Sequence, residues 1–444
     1  MDDRRLDSLL DEAVADAPPE DVADRVNPWR RSFAFIIWGL VLSTLSFNFY
    51  GLNYILPYAG AALLLLGFRP LRRDNGFFRA AFALCVLRFG LSCAALFAGS
   101  SLVRLGGLET AYLVLMTASA FLMLVCFWLG VLKAQERAGA PRKAAAGGWL
   151  VLWYLLLVGS ALAGGGALSA LVLLGAFAGI LASLRALSKR LDDAGYAISP
   201  IPARLGDRGL GLLLLGLGLA IFLVGNLGFG KYRMDWAPAP ERGPEAEAVA
   251  QELAGLGFPE HVLADMSDAD ILACAGAETV KAQETQQSDG QRLDTSVIAC
   301  LSNGGVFVLH HFVWDNGVFL PGTQSARFVS PYADFGWKDA VAEPHGLLLY
   351  TDSGENYTAA PIESELLPEE GDSVRIFGWS FPCGAVAARG YFCCVTAEPG
   401  YFGAANYSWQ CRLFQLPCLS ASENARLGLS GSDAFEQCWV NILF

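Results

Sequence analysis

Charge and histidine are scarce in this sequence. Only 17% of its 444 residues are Asp, Glu, Lys or Arg, while 54% are apolar and the mean hydropathy is +0.40. An average soluble domain carries about 25% charged residues, so an ordinary soluble enzyme is excluded. Four histidines in the whole chain argue against a histidine-built metal centre. No Cys-x-x-Cys pair occurs, which removes a zinc ribbon and a thioredoxin-like redox motif. There is no Gly-x-Ser-x-Gly elbow for a serine nucleophile. The start, MDDRRLDSLLDEAVADAP, lacks the basic, then apolar, then small-residue order of a signal peptide.

The charge that is present is unevenly placed. Residues 1–236 hold 22 Lys and Arg against 16 Asp and Glu, a net of +6; residues 237–444 hold 9 against 27, a net of −18. So acidic a C-terminal half excludes nucleic acid as its partner.

Long apolar runs fill residues 33–230. About 20 apolar residues cross a bilayer as a helix, and seven such runs are read: 33–51, 53–70, 80–102, 110–132, 148–164, 166–184 and 209–229. Gly164-Gly165-Gly166 is the weakest break. Either two short helices share a tight turn there, or one long kinked helix runs through. Cytoplasmic loops retain Lys and Arg. Seventeen basic residues fall on one side of this arrangement, among them Arg30, Arg31, Arg69, Lys133, Arg185 and Arg208. Three fall on the other: Arg104, Lys231 and Arg233. The N-terminus is therefore expected inside and, with seven spans, residues 231–444 outside.

Residues 1–32 form a polar N-terminal segment in which Leu6, Leu9, Leu10, Ala13 and Val14 recur at helical spacing. Residues 231–248 read as a linker. Residues 249–290 begin as helix, with Ser267 and Asp270 spaced as a capping box. From 291 to 444 the pattern is β: runs at 296–301, 305–314, 347–350, 374–379, 391–396, 407–416 and 438–444 are rich in Val, Phe, Tyr and Trp, with turn residues between them. Asp352-Ser353-Gly354-Glu355-Asn356 reads as a hairpin. The expected fold is an all-α transmembrane bundle of about seven helices, then a short helical segment, then an antiparallel β-sandwich or jelly roll.

The stretch Leu256-Gly257-Phe258-Pro259 through Asp265, Ser267-Asp268, Asp270-Ile271 and Gly276-Ala277 is followed by Thr295-Ser296-Val297, His310-His311-Phe312-Val313-Trp314, Ser330-Pro331-Tyr332 and Leu348-Leu349-Tyr350-Thr351-Asp352. Together they resemble uncharacterised bacterial multi-pass membrane proteins with a C-terminal extracytoplasmic β-rich domain. The resemblance covers most of 250–400. It implies that architecture and transfers no activity, cofactor or catalytic residue.

Several residues stand out for chemistry. Eight cysteines follow residue 231, an even number in a domain expected outside, which points to disulfides. Cys393, Cys394, Cys411 and Cys438 all lie in expected strands and are the expected members of two or three bridges. The alternative is free core cysteines. Cys393 and Cys394 are adjacent in one strand, so they face opposite ways. His310 and His311 likewise face opposite sides, one into the core and one to solvent, and do not chelate one ion together. His345 and Asp352 can be drawn into a Cys-His or Ser-His-Asp set only by selection.

Arg88 falls well inside the third apolar run, with no Asp or Glu inside any run to pair with it. An intramembrane cation is costly and often functional. It is either structural, bonded to Ser92, backbone carbonyls or lipid phosphate, or it holds an anion in the bundle. Gly209 and Gly216, then Gly211, Gly218 and Gly225, and Gly175-x-x-x-Gly179 form small-residue rows that allow close helix approach.

The expected function is that of a non-enzymatic cell-membrane protein, anchored in the lipid bilayer, that presents an acidic β-domain outside to an envelope or extracellular ligand. No catalytic set, cofactor or metal is implied. The alternative is a small-solute or anion transporter, or a membrane enzyme, acting through the bundle around Arg88. A polar cavity at Arg88 faced by Asn48, Asn53 or Asn226 would favour it.

Overall fold

The computed structural model describes residues 28–45, 47, 51–104, 106–137, 144–193, 206–285, 293–302, 305–314, 322–329, 340–364, 374–396, 402–427 and 434–443. The N-terminal amphipathic repeat lies outside these. The chain forms two compact units, Met1–Gly99 with Arg104–Phe222, and Ser100–Val103 with Leu223–Phe444.

The first unit is helical: α1 Pro28–Thr44, α2 Leu52–Leu71, α3 Gly76–Gly99, α4 Glu109–Arg137, α5 Ala145–Leu162, α6 Ala167–Asp193 and α7 Asp207–Phe229, which runs on into the second unit. Six of them, α2 to α7, are long and apolar enough to cross a membrane. The first, of 17 residues, is shorter. The triple glycine is a true break. Gly164 takes φ +68°, and the Ala163, Gly164 and Gly165 amides donate back to Gly159, Ala161 and Ser160. Trp153 then stacks on Phe177 across the turn, 4.3 Å between ring centroids, and donates to the Leu173 carbonyl.

Charged residues gather at one end of this unit. The Asp192 carboxylate accepts from the Trp29 and Arg30 amides at the start of α1, where free N–H groups and the helix dipole favour an anion. Asp207, at the start of α7, meets Arg31 at 3.4 Å and Arg69 at 3.2 Å. The starts of α1 and α7 and the ends of α2 and α6 therefore share one end, and α7 runs away from it. Phe33 and Phe68 pack on Phe127, at 5.4 and 5.6 Å between centroids, and close the core at that end.

Helix α1 crosses α2 on glycine. A Cβ on Gly39 would lie 2.9 Å from the Gly60 oxygen, and one on Gly60 would lie 2.7 Å from the Ser43 nitrogen. In α7, Gly218 meets Tyr58, as its row predicts. The Gly175-x-x-x-Gly179 row does not pack: nothing lies within 4 Å of either added Cβ. Among the described residues that row lies on an uncovered helix face, where Leu168, Leu171 and Val172 are also exposed.

The second unit starts with β1 Ala237–Pro238 and three helices, α8 Pro244–Gly255, α9 Glu260–Asp265 and α10 Asp268–Ala273. Then come β2 Thr279–Thr285, β3 Leu293–Ser302, β4 Gly305–Trp314, β5 Gln324–Val329, β6 Ala340–Asp352, β7 Glu355–Ala359, β8 Ile362–Ser364, β9 Val374–Trp379, β10 Val386–Thr396, β11 Phe402–Gln410, α11 Ala421–Arg426 and β12 Phe435–Leu443. Two sheets result, in the orders β1-β7-β6-β10-β4-β3-β2 and β12-β11-β5-β9-β8. Every pairing is antiparallel. The predicted hairpin joins β6 to β7, with Asp352 opposite Glu355 and Ser353 and Gly354 both at positive φ, as a tight hairpin turn requires.

The larger sheet is covered on both faces. One face packs on the smaller sheet through Val308, Phe312, Phe392 and Cys394 against Phe328, Phe377, Tyr407 and Val440. There the Gln324 side-chain oxygen Oε1 accepts from both Trp314 Nε1 and Trp379 Nε1, at 3.1 and 3.0 Å. The other face, with Ile298, Cys300, Phe307, Leu309, Tyr391 and Cys393, packs on α8, α9 and α10 through Leu253, Val262, Leu263 and Ile271. The order of layers is helices, seven strands, five strands.

Candidate functional site

Strand alternation sets which side chains meet the helical layer. Along β10, Arg389, Tyr391 and Cys393 point toward it, and Phe392 and Cys394 point into the inter-sheet core. In the neighbouring strand β6, His345 stands directly opposite Cys393. Above them, Ser267 caps α10: its hydroxyl accepts from the Asp270 amide at 3.2 Å, as the spacing predicts. That cap holds Asp270 in the first turn, with its carboxylate lowered onto the sheet.

Three donor atoms converge there. Asp270 Oδ1 lies 2.7 Å from His345 Nε2, and Cys393 Sγ lies 3.3 Å from the same nitrogen and 3.7 Å from Oδ1. All three lie within 4.8 Å of one another. The second carboxylate oxygen is held separately. Ser267 Oγ donates to Oδ2 at 2.7 Å, the Tyr391 hydroxyl donates to it as well, and that hydroxyl accepts from the Ser267 amide at 2.9 Å. Asp270 and Cys393 are buried, whereas the His345 side chain is 51% exposed. The cluster therefore opens to solvent on one side.

Electrostatics divide the groups. Burial alone would raise the Asp270 carboxyl, but the bonds from His345, Ser267 and Tyr391 outweigh it and hold Asp270 below the usual carboxylate range. Burial, then the adjacent Asp270 charge, pushes the Cys393 thiol well above its ordinary value. Cys393 is thus a poor nucleophile, since the thiolate is the reactive form. Cys393 and Asp270 also meet the imidazole at the same nitrogen, Nε2, so no proton relay runs through the two ring nitrogens, as a Cys-His-Asp triad needs. Convergence on one point is instead a metal-ligand arrangement. Two more thiols lie beside it. Cys274, at the end of α10, is hydrogen-bonded to Cys300 and close enough to feel Cys393 and Asp270. Cys274 and Cys300 line a cavity of about 150 Å³ with Ala273, Ala277, Phe307 and Val395.

A second polar group lies farther along the same face. Asp265, the last residue of α9, accepts from Arg389 Nε at 2.6 Å and meets His311 Nε2 at 2.8 Å. Burial lowers the His311 pKa from its ordinary value more than Asp265 restores it. The ring is a neutral donor at neutral pH, and Arg389 supplies the compensating charge.

Several expectations change here. His310 and His311 do face opposite ways, but both are buried, because the sheet is covered on both sides. No disulfide pair occurs among the described cysteines, so the bridges expected at Cys393, Cys394, Cys411 and Cys438 are not shown. Cys394 and Cys438 lie in the inter-sheet core, Cys393 is under the helices, and Cys411 is just beyond β11. The seven-stranded sheet thus separates Cys393 from the rest. Asp352 is in the exposed hairpin, away from His345's partners. Asp270 was missed as a site residue because its partners are 75 and 123 residues away. The readable signal was the Ser267–Asp270 spacing: the hydroxyl cap forms, while the Ser267 amide donates to Tyr391 and closes no capping box.

Arg88 lines a cavity in the helical unit. Its Nη1 donates to the Met116 carbonyl at 2.9 Å, and no bond joins it to Ser92. Its Nε is buried without a hydrogen-bond partner. The cavity measures about 210 Å³; its polar lining is Arg88, Ser43, Thr44, Thr117 and Tyr154, and the remainder is Leu, Met, Ala and Trp. Asn53 does not line it, Asn48 lies outside the described residues, and Asn226 belongs to the other unit, where it accepts from the Gln415 amide.

No family model, curated protein or solved structure matches the chain.

Proposed function

We propose that this chain is a multi-pass, membrane-anchored binding protein rather than an enzyme. Helices α1 to α7 act as seven spans with the N-terminus inside, and the acidic β-rich unit works outside, where it takes an envelope or extracellular ligand. The observation that carries the reading is the cluster of Asp270, His345 and Cys393: a preformed donor set, braced by Ser267 and Tyr391 and open to solvent at His345. The side of the membrane rests on the seventeen-to-three loop asymmetry. It is supported by Asp207 meeting Arg31 and Arg69, which sends α7 away from the basic end. Cys383 provides the test, being a free and exposed thiol of the β-rich unit. In intact cells a membrane-impermeant maleimide should label the wild type and not Cys383→Ser. Labelling only after lysis overturns the reading.

A second reading rests on the Arg88 cavity. A guanidinium with an unpartnered Nε beside Thr117 and Tyr154, in an otherwise apolar chamber, fits a small anion with an apolar tail. Octanoate should then raise the unfolding midpoint of the detergent-purified protein, and Arg88→Leu should remove that rise. No rise in the wild type discards the reading.

A further inference from the structure

We infer that Asp270, His345 and Cys393 form a zinc site with three protein ligands and a fourth position open to solvent. The inference deepens the proposed binding function by naming the ligand class, and it rests on that reading only for where the metal is met.

Geometry carries the assignment. Zinc takes tetrahedral sites with bonds of about 2.0 Å to nitrogen and oxygen and about 2.3 Å to sulfur, which sets ligand–ligand edges of about 3.3 Å for N···O and about 3.6 Å for S···N and S···O. The observed edges are 2.7, 3.3 and 3.7 Å. Both sulfur edges already lie within about 0.3 Å of that figure. Only the His345–Asp270 edge must open, by about 0.6 Å, at the ligand whose side chain is half-exposed.

Donor chemistry selects the metal class. A thiolate and an imidazole exclude magnesium and calcium, which take oxygen ligands. A carboxylate beside them favours zinc over copper(I), which prefers an all-sulfur set. The outer shell is that of a built site. Asp270 Oδ2 is fixed by Ser267 and Tyr391, which leaves Oδ1 aimed at the centre. As the metal binds, a zinc–sulfur bond replaces the Cys393 S–H bond and the proton passes to solvent. The carboxylate and the thiolate together neutralise the dication. His345 and the open position face outward, so the ion exchanges from solution, unlike a closed structural site.

The test uses the full chain, purified in detergent and stripped with a chelator. Zinc, competed against a chromophoric chelator, should bind at one equivalent. Cobalt should give the intense visible bands of tetrahedral coordination together with a near-ultraviolet thiolate charge-transfer band. Cys393→Ser should remove the charge-transfer band. His345→Ala, checked for native secondary structure by circular dichroism, should weaken zinc roughly 100-fold, and Tyr391→Phe roughly 10-fold, the effect of losing an outer-shell partner. Binding of less than one equivalent overturns the inference. So does binding that His345→Ala leaves unchanged, or a cobalt spectrum without the thiolate band. None of these outcomes alters the Cys383 labelling, so the site and the membrane side fail separately.

Discussion

His310 stands edge-on to Phe328, 5.2 Å between ring centroids, in the core between the two sheets. Its Nδ1 has no hydrogen-bond partner. Burial drives its pKa down to about 3, whereas the unfolded chain holds it near its ordinary value of about 6.5. Between these values the unfolded state binds a proton that the folded state refuses, so stability rises with pH across that window and is lost as pH falls below about 6.5. One such histidine costs about 2 kcal/mol on going from pH 7 to pH 5, at about 1.4 kcal/mol per pH unit. His310→Leu should remove about that much of the pH dependence, read as the urea midpoint by tryptophan fluorescence. An unchanged pH slope would show that the ring titrates normally.

Arg389 compensates Asp265 on the other face of the same sheet. Because burial keeps His311 neutral, removing the guanidinium leaves a buried carboxylate with hydrogen bonds but no counter-charge. Arg389→Ala should cost about 3 kcal/mol of β-unit stability, as breaking a buried pair does. The double variant with Asp265→Asn should recover part of it. Equal losses in both would mean that packing, not charge, sets the cost.

The legible parts of this fold were those written in local pattern. Strands β4 and β9 are read at the bounds the structure gives them, because both are rich in Val, Phe and Trp and are bounded by turn residues. β2 (TVKAQET) and β5 (QSARFV) were missed, since Lys281, Gln283 and Arg327 make them polar, with no apolar run to read. The opposite facing of Cys393 and Cys394 was readable from alternation alone. That the seven-stranded sheet is buried twice was not, because it depends on helices α8 to α10 folding back over it. The three-donor cluster was unreadable for the same reason: it needs the register of β6 against β10 and the docking of α10 together.

Two glycines predict opposite outcomes. At Gly60 any side chain meets backbone atoms of α1, 2.7 Å to the Ser43 nitrogen and 2.8 Å to the Gly39 oxygen. Backbone cannot swing aside as a side chain can, so Gly60→Leu should separate α1 from α2 and abolish folded, monodisperse protein. Gly175→Leu adds an apolar side chain where nothing lies within 4 Å, and should leave yield and melting temperature within a few degrees. Loss of folding in Gly175→Leu would show that this face is covered by another chain.

The cysteines test fold and compartment together. In the sandwich core, Cys394 and Cys438 pack as small apolar groups, and Cys393 is kept apart from them by the sheet itself. Cys274 and Cys300 are in thiol contact, yet are free. A bridge needs Cα atoms about 4.4–6.8 Å apart with converging Cβ vectors, and a unit with two covered sheet faces holds its core without the 2–4 kcal/mol or so that each bridge contributes. Alkylation of the denatured, unreduced and metal-stripped protein, read by mass spectrometry, should therefore modify all eleven cysteines. Four or more protected cysteines in the β-rich unit would show that oxidation outside the cell joins strands that the fold leaves as thiols. Protection of Cys274 and Cys300 alone would mark that contact as the one pair the compartment closes.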